Sequence, residues 1–183
     1  RAEPVHPPRS AMLIRTSVTD ARNPVLDALS DRLRAYYTSS AEYFEEAEGD
    51  KNRFYDLLKP ALQRIIAERG TVRVLEFGAG RTSFPRWLSE QGLRAKVTFA
   101  AQDVTPINQE QMNAICDETF FGDVEAIDGQ FDVIFSTFVY EHLVHPRRLL
   151  LHCIRLLTTG GLLFIVCPRY SFPGYIPPAL RHL

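Results

Sequence analysis

The chain has 183 residues, of which 45% are hydrophobic and 23% charged, and its formal net charge is −1 at pH 7. This length and composition fit a globular chain of about one domain, and the near-neutral charge gives no electrostatic case for a nucleic-acid partner. The longest early apolar run, residues 11–14, is too short for a signal peptide or a membrane span, so we predict no stable membrane insertion. The three cysteines lack C-x-x-C spacing, which predicts reduced, mostly buried thiols in a cytoplasmic protein and no metal site: Cys116, Cys153 and Cys167.

Residues 1–70 are predicted to form an irregular tail followed by a helical layer on the sheet. The first helix starts at Pro24, and a short second helix is expected over residues 41–48. Asp50 is a candidate cap for a third helix, in which Pro60 predicts a break or kink and Gly70 the end. The many aromatic residues of this N-terminal part either form a lid over a ligand or are ordinary packing residues, and packing is the simpler interpretation.

The most informative stretch is VRVLEFGAGR, which begins at Val72. It predicts a short apolar strand that ends on Glu76, a turn containing Gly78 and Gly80, and a helix that opens after the turn. Glycines let a backbone approach a ligand closely, and a helix N-terminus attracts an anionic group. The dinucleotide pattern G-x-G-x-x-G is not met, because Ser83 stands at the third glycine position. A carboxylate before the loop also suits a ligand with an ammonium or sulfonium cation better than a pyrophosphate.

Strands and helices alternate through the rest of the chain, which predicts a doubly wound α/β sheet. The segment Phe131–Thr137 is predicted to be an unbroken buried strand, a pattern typical of a parallel sheet. The fifth strand is expected at Leu162–Cys167. The helix before it is expected to begin at Pro146 and to turn these residues inward: Leu149, Leu150, Cys153, Ile154, Leu156 and Leu157.

Five segments stand in a recognisable order: VLEFGAG, QDV, FFGDVEAI, FDVIFSTFVYEHL and LLTTGGLLFIVCP. Together they resemble the class I S-adenosylmethionine-dependent methyltransferases, in particular the branch with a Glu-His pair after the fourth strand. The resemblance covers residues 72–168, about half the chain. It implies a mostly parallel Rossmann-like sheet, a cofactor-binding core over residues 71–168, S-adenosylmethionine as cofactor, S-adenosylhomocysteine as product, and no metal.

The resemblance also implies which residues contact the cofactor. Glu76, Gly78 and Gly80 would line its methionine end, while Asp103 would accept the ribose hydroxyls. Asp123 would bind the adenine amino group. The alternative for both aspartates is a role in helix caps or turns. The complete set of expected cofactor contacts is Glu76, Gly78, Gly80, Asp103, Val104, Asp123, Val124, Ser136 and Thr137.

The expected reaction is methyl transfer to a small-molecule acceptor, with O-methylation of a sugar, a lipid-linked intermediate or a natural product as the leading hypothesis. His142 is the candidate general base, because its unperturbed pKa lies near neutrality and it follows the fourth strand. Packing of the following loop is its alternative role. Tyr140 and Glu141 are weaker candidates, and His145 is expected to be exposed. Other hypotheses are a catalytically silent methyltransferase-like scaffold and, less favoured, an NAD-dependent oxidoreductase. The oligomeric state is not predicted.

Residues 169–183 are rich in proline and aromatic side chains and are interpreted as a connector near the substrate side. In the resembling family the sheet continues beyond the fifth strand. We therefore expect the C-terminal strands of the family to be missing from this chain, and the sequence to be part of a longer one. A sheet that ends at the fifth strand would expose a hydrophobic edge.

Overall fold

A five-stranded parallel sheet forms the centre of the molecule. The computed structural model describes residues 23–39 and 51–168. The strand order is β3-β2-β1-β4-β5, and all four pairings are parallel. The predicted doubly wound sheet is therefore confirmed. The strands are β1 Val72–Phe77, β2 Val97–Asp103, β3 Glu118–Phe121, β4 Phe131–Thr137 and β5 Leu157–Val166.

Helices cover both faces of this sheet. Because side chains alternate along a strand, Val74 of β1 packs into a core with α2 and α3, whereas Leu75 packs into a second core with α5. The helices are α1 Pro24–Ser39, α2 Asn52–Arg69, α3 Phe84–Glu90, α4 Gln109–Ile115 and α5 Pro146–Leu156. Short 3₁₀ turns lie at Arg94–Lys96, Val124–Ala126 and Tyr140–His142. Within the described residues, no helix is long and apolar enough to cross a bilayer.

The edge of the sheet where the strands begin, here called the amino edge, is held by a network of ion pairs. Asp132 of β4 accepts hydrogen bonds from the Arg69 guanidinium, from the Arg73 backbone N–H at 2.9 Å and from the Thr158 hydroxyl at 2.9 Å. Arg73 also pairs with Glu118 at 2.6 Å, which joins β1 to β3 across the sheet. These contacts connect α2 and four strands at one edge.

The fifth strand begins earlier than the sequence predicts. It starts at Leu157 and includes an irregularity, because Leu157 pairs with Phe131 while Leu162 pairs with Val133. Gly161 lies in this irregular segment, and a Cβ there would come within 2.9 Å of two backbone oxygens. The glycine pair that reads as a turn before the strand is thus part of the strand.

Other expectations about the helices need correction. Pro60 does not end α2, which runs from Asn52 to Arg69, and the residue before the helix is Lys51. Ile154 was expected to turn inward but is 58% exposed. The buried residues of α5 are Leu149, Cys153 and Leu156. The thiol of Cys167 is exposed, in contrast to the buried Cys153. The predicted tail, the helix over residues 41–48, the Asp50 cap and the 169–183 connector lie outside the described residues.

Candidate functional site

The turn after β1 brings two backbone segments into direct contact. Gly78 and Gly80 adopt positive φ angles of 64° and 54°. A Cβ at Gly78 would lie 2.6 Å from Cγ1 of Val139, and closer still to its Cγ2, so the turn needs glycine for space as well as for conformation. Val139 follows β4. The loops after β1 and β4, which are neighbouring strands in the sheet, are therefore packed against each other.

Glu76 is fully buried at the end of β1, and half of its carboxyl group lacks a partner. Its Oε2 accepts a hydrogen bond from the Thr82 hydroxyl at 2.5 Å, while no hydrogen bond to Oε1 is found among the described residues. Burial raises the pKa of Glu76 to about 7, an effect that the charge of Lys51 and the Thr82 hydroxyl oppose and that Asp103 adds to. A cation placed at Oε1 would compensate for the buried charge.

Asp103 connects the end of β2 to the glycine turn. Its Oδ2 accepts the Gly80 N–H at 2.8 Å, and its Oδ1 accepts the Thr105 N–H at 3.0 Å. An ionised carboxylate offers several lone-pair sites, so a group that fixes the turn can also accept from a ligand. Asp103 is 1% exposed. The turn role and a ligand role are chemically compatible, and both would use this one buried group.

Gln102 is a site residue that the sequence analysis missed. Its side-chain Oε1 accepts the Gly78 N–H at 3.1 Å, and its Nε2 donates to the Gly122 carbonyl at 2.6 Å. Its backbone carbonyl also accepts the Ala79 N–H at 2.8 Å. One side chain thus ties the loop after β1 to the loop after β3. The available signal in the sequence was an amide residue directly before the acid at the end of a strand, to which no role was given.

Buried polar atoms without partners collect at the edge where the strands end, here called the carboxyl edge. The side chains of Ser136 and Thr137 at the end of β4 are 0% and 3% exposed. Within the described part of the chain, no hydrogen bond reaches either of their hydroxyl groups or that of Thr105. Buried polar groups in native proteins nearly always have partners, so such a group of unpaired atoms indicates a place where another molecule binds.

The first helix contacts the loops at this edge. Arg34 of α1 forms an ion pair with Asp123 at 2.5 Å, and the exposed fraction of the Asp123 side chain is 65%. Val124 follows as the first residue of a 3₁₀ turn. Asp27 lies 3.7 Å from Nε2 of His145. His145 is half-buried, so the prediction that it is exposed was wrong. Polar side chains of the helix thus contact two loops, while Leu33 is its buried residue.

His142 lies between two ionisable neighbours. Its Nδ1 forms a short hydrogen bond with the Tyr37 hydroxyl of α1, and the two rings meet edge to face with centroids 5.4 Å apart. Its Nε2 is 3.9 Å from Oε1 of Glu141, whose side chain is 3% exposed. Glu141, which the sequence analysis names in the Glu-His pair, therefore lies near the predicted base, and so does Tyr37, to which the sequence analysis gave no role with it.

The structure brings most of the predicted site residues to one edge. After burial, the charge of Asp103 also raises the pKa of Glu76, and a backbone hydrogen bond of 3.0 Å joins Asp103 to Gly122. Asp123 also lies at this edge, but its side chain is exposed and pairs with Arg34. Among residues 23–39 and 51–168, no group of three or more histidine, cysteine or acidic side chains is arranged to hold a metal ion.

The parallel sheet and the site together define a Rossmann-like fold. The strand order reverses between β1 and β4, and ligands of open α/β sheets bind beyond the carboxyl ends of the strands at such a reversal. The glycine turn and Glu76 lie at this position. A family profile described as "Methyltransferase domain" matches residues 42–182. The chain belongs to this methyltransferase domain family.

Solved methyltransferase structures share this fold. The plantazolicin methyltransferase BpumL, in complex with a triazolic desmethylPZN analog and SAH, aligns with 14% identity and a TM-score of 0.57 over 78% of this chain and 58% of its own. The 1,6-didemethyltoxoflavin-N1-methyltransferase of Burkholderia thailandensis, with bound substrate and S-adenosylhomocysteine, aligns with 22% identity and a TM-score of 0.54 over 80% of this chain and 65% of its own. The CurJ carbon methyltransferase aligns with 20% identity and a TM-score of 0.52 over 79% and 41%, respectively.

The present chain thus spans 58% of the BpumL chain and 41% of the CurJ chain. At these identities the likeness concerns the fold. No curated protein sequence matches the chain significantly.

Proposed function

We propose that the protein binds S-adenosylmethionine at the carboxyl edge of the sheet and transfers its methyl group to a small molecule. The buried Glu76 carboxyl, with Oε1 unpaired among the described residues, is the observation that carries the proposal. A fully buried carboxylate is costly unless a cation or hydrogen-bond donors compensate it, and the ammonium group of a methionine moiety supplies both. Similar folds with bound S-adenosylhomocysteine support the same cofactor.

The remaining residues are assigned to the parts of an adenosyl ligand in the proposal. In the proposal Gly78 and Gly80 line the methionine end, because a side chain at Gly78 would meet Val139. Asp103, which fixes the turn by accepting the N–H groups of Gly80 and Thr105, accepts the ribose hydroxyls. Asp123 and Val124 receive the adenine, for which Asp123 exchanges its contact with Arg34. Val104, Ser136 and Thr137 complete the contacts around the ribose and the sulfonium.

The acceptor in this proposal is a hydroxyl of a sugar, a lipid-linked intermediate or a natural product. The cofactor supplies an electrophilic methyl group with a good leaving group, so the protein has to orient the acceptor and exclude water. His142 serves as the general base, supported by its place after β4 and its contact with a hydroxyl in the structure. Residues 1–70 and 169–183 flank the 71–168 core as the lid side and the connector. A cytoplasmic location, small-molecule specificity and the absence of a nucleic-acid partner stay predictions from the sequence.

Calorimetric titration of the purified chain with S-adenosylmethionine, S-adenosylhomocysteine and NAD tests the proposal. We expect the two adenosyl ligands to bind and NAD not to bind. Asp103→Ala should weaken binding at least tenfold, because it removes the ribose acceptor and the partner of Gly80.

Asp132→Ala is the matched control, since Asp132 is also a buried aspartate that accepts a backbone N–H, but at the opposite edge. Both variants are checked for folding by circular dichroism before titration. Equal loss in the two variants would contradict a site at Asp103. Binding of NAD alone would favour an oxidoreductase. Binding of none of the three ligands would favour the scaffold hypothesis.

A further inference from the structure

The loop after β4 is fixed in an unusual conformation. Phe138 has a positive φ of 58°, and it is the one non-glycine residue among those described with such an angle. Its N–H donates to the Val166 carbonyl at 2.8 Å, and its ring meets Phe54 edge to face at 5.3 Å. Strained backbone of this kind persists where surrounding contacts enforce it, and it is concentrated at functional sites. The loop therefore delivers Glu141 and His142 in a defined orientation.

Glu141 is a buried carboxyl with an incomplete set of partners. Its side chain is 3% exposed, and no hydrogen bond to Oε2 is found within the described residues. Burial raises the pKa of Glu141. Burial, and after it the charge of Glu141, raises the pKa of the Cys167 thiol. In the described part of the chain, the group near Glu141 that becomes a cation is the imidazole of His142, 3.9 Å away. A proton on that imidazole would compensate the buried carboxylate.

The two ring nitrogens of His142 face different groups. Nε2 faces Oε1 of Glu141, and Nδ1 is hydrogen-bonded to the Tyr37 hydroxyl, which comes from α1 and lies 105 positions away in the sequence. A carboxylate favours a proton on the nearer nitrogen, which here is Nε2. With Nε2 protonated, Nδ1 presents its lone pair, and the Tyr37 hydroxyl donates to it.

We propose that Glu141 is a positioning residue, which keeps the proton of neutral His142 on Nε2. Nδ1 is then the base, and an acceptor hydroxyl binds at Nδ1 in the place where the Tyr37 hydroxyl now lies. The part about the acceptor rests on the proposed function. The part about Glu141 and His142 rests on the contacts of this loop alone.

The reaction step balances with these groups. As the acceptor oxygen bonds to the methyl carbon, the carbon–sulfur bond breaks and its electron pair stays on sulfur. The hydroxyl proton moves to Nδ1 of His142. The positive charge that the sulfonium loses appears on the imidazolium, next to Glu141. Tyr37 has to withdraw from Nδ1 for the acceptor to enter, which requires α1 to shift or the Tyr37 side chain to rotate.

The test follows His142 by nuclear magnetic resonance in the absence of any cofactor. Nitrogen shifts of the five histidines report tautomer and titration, and His142→Gln identifies the signals of His142. We expect the Nε2–H tautomer in the wild type. Glu141→Gln should lower the pH at which His142 titrates by about one unit or more, because the carboxylate no longer stabilises the imidazolium. Glu125→Gln is the matched control and should leave this pH unchanged, since Glu125 pairs with Arg148.

A second arm tests the place of the acceptor hydroxyl. In Tyr37→Ala, p-cresol is added as a phenol probe and toluene as its counterpart without a hydroxyl. We expect p-cresol, and not toluene, to move the Nδ1 signal toward its wild-type position, and neither to do so in Tyr36→Ala. An Nδ1–H tautomer in the wild type, an unchanged titration in Glu141→Gln, or equal responses to p-cresol and toluene would overturn the proposal.

Failure of the proposed function has a different signature. A wild-type protein that does not bind S-adenosylmethionine, yet shows the Glu141 effect, would reject methyl transfer and keep the assignment of the two residues. If the cofactor binds but the titration of His142 is unchanged in Glu141→Gln, methyl transfer is kept and the assignment of the two residues is rejected.

Discussion

The two edges of the central sheet differ in how completely their polar side chains are hydrogen-bonded. At the amino edge, Asp132 accepts three hydrogen bonds, and Asp117 accepts two from Arg94 and one from the Phe99 N–H. At the carboxyl edge, polar side-chain atoms are buried with no hydrogen bond found among the described residues: Glu76 Oε1, Thr105 Oγ1, Ser136 Oγ, Thr137 Oγ1 and Glu141 Oε2. The amino edge is arranged for stability, whereas the carboxyl edge keeps binding capacity at a cost in stability.

The largest expected effect breaks the amino edge. Asp132→Ala removes the acceptor of three donors and leaves the Arg69 guanidinium without this partner, so we expect a loss of about 3 kcal/mol in the free energy of unfolding. Urea denaturation measures this change. Asp128→Ala, at an exposed aspartate in the preceding loop, should change the free energy by less than about 0.5 kcal/mol. Comparable losses in both variants would show that the network contributes little.

The second prediction has the opposite sign and concerns the carboxyl edge. The folded-state pKa of Glu76 is raised from 4.5 to about 7, so between these two pH values the folded state holds a proton that the unfolded state has lost. This group therefore makes stability fall as the pH rises through that window, by on the order of 3 kcal/mol, and the loss is complete above the folded-state pKa.

Glu76→Gln removes that dependence. The variant should be more stable than the wild type at pH 8, by up to about 3 kcal/mol, and close to it at pH 4.5, while its affinity for S-adenosylmethionine falls. Unfolding at a series of pH values and calorimetry test the two parts. Glu118→Gln, at the paired amino edge, should instead lose up to about 1 kcal/mol at pH 8. A Glu76→Gln protein with the same pH dependence as the wild type would contradict the prediction.

A third prediction separates space from conformation in the glycine turn. Gly70 and Gly78 both have positive φ, but a Cβ at Gly70 meets nothing within 4 Å, whereas at Gly78 it meets Val139. Gly78→Ala should therefore cost about 2 kcal/mol more than Gly70→Ala, measured by thermal or urea unfolding. The double variant Gly78→Ala/Val139→Ala should recover part of the difference. No recovery would mean that the overlap with Val139 is not the cause.

The smallest expected effect compares two hydroxyl groups. Thr158→Val removes the donor to Asp132 at 2.9 Å and should cost about 1 kcal/mol. Ser136→Ala removes a buried hydroxyl with no hydrogen bond found in the described residues, so the free energy of unfolding should stay within about 0.5 kcal/mol of the wild type or rise. Urea denaturation of the two variants side by side decides. A larger loss in Ser136→Ala than in Thr158→Val would contradict the difference between the edges.

The central strands were predictable because their patterns are local. Phe131–Thr137 was predicted with its observed bounds, since a mostly apolar segment of this length fits a strand buried in a parallel sheet. The start of β5 was not, because Gly160 and Gly161 read as a turn and their role in an irregular strand depends on the backbone of Asp132. The exposure of Ile154 likewise depends on how α5 rotates against the sheet, which helical spacing alone leaves open.

The site was predictable where a motif names the residue. Glu76 and Asp103 follow from their positions at strand ends, and the structure places both at the carboxyl edge. The contact between Tyr37 and His142 joins residues 105 positions apart, and no local pattern encodes such a pair. Gln102 was missed for a related reason, since its importance lies in two backbone partners that the chain supplies 24 positions before it and 20 positions after it.

The double contact of Gln102 has a consequence for ligand length. Because its side chain spans from the Gly78 N–H to the Gly122 carbonyl, it sets the separation between the loops that would hold the two ends of an adenosyl ligand. Replacement by the one-carbon-shorter asparagine would have to draw these loops together or break one of the two bonds. Such a change would act on the spacing of the two loops through a single amide, without altering the strands, the cores or the acids at the strand ends.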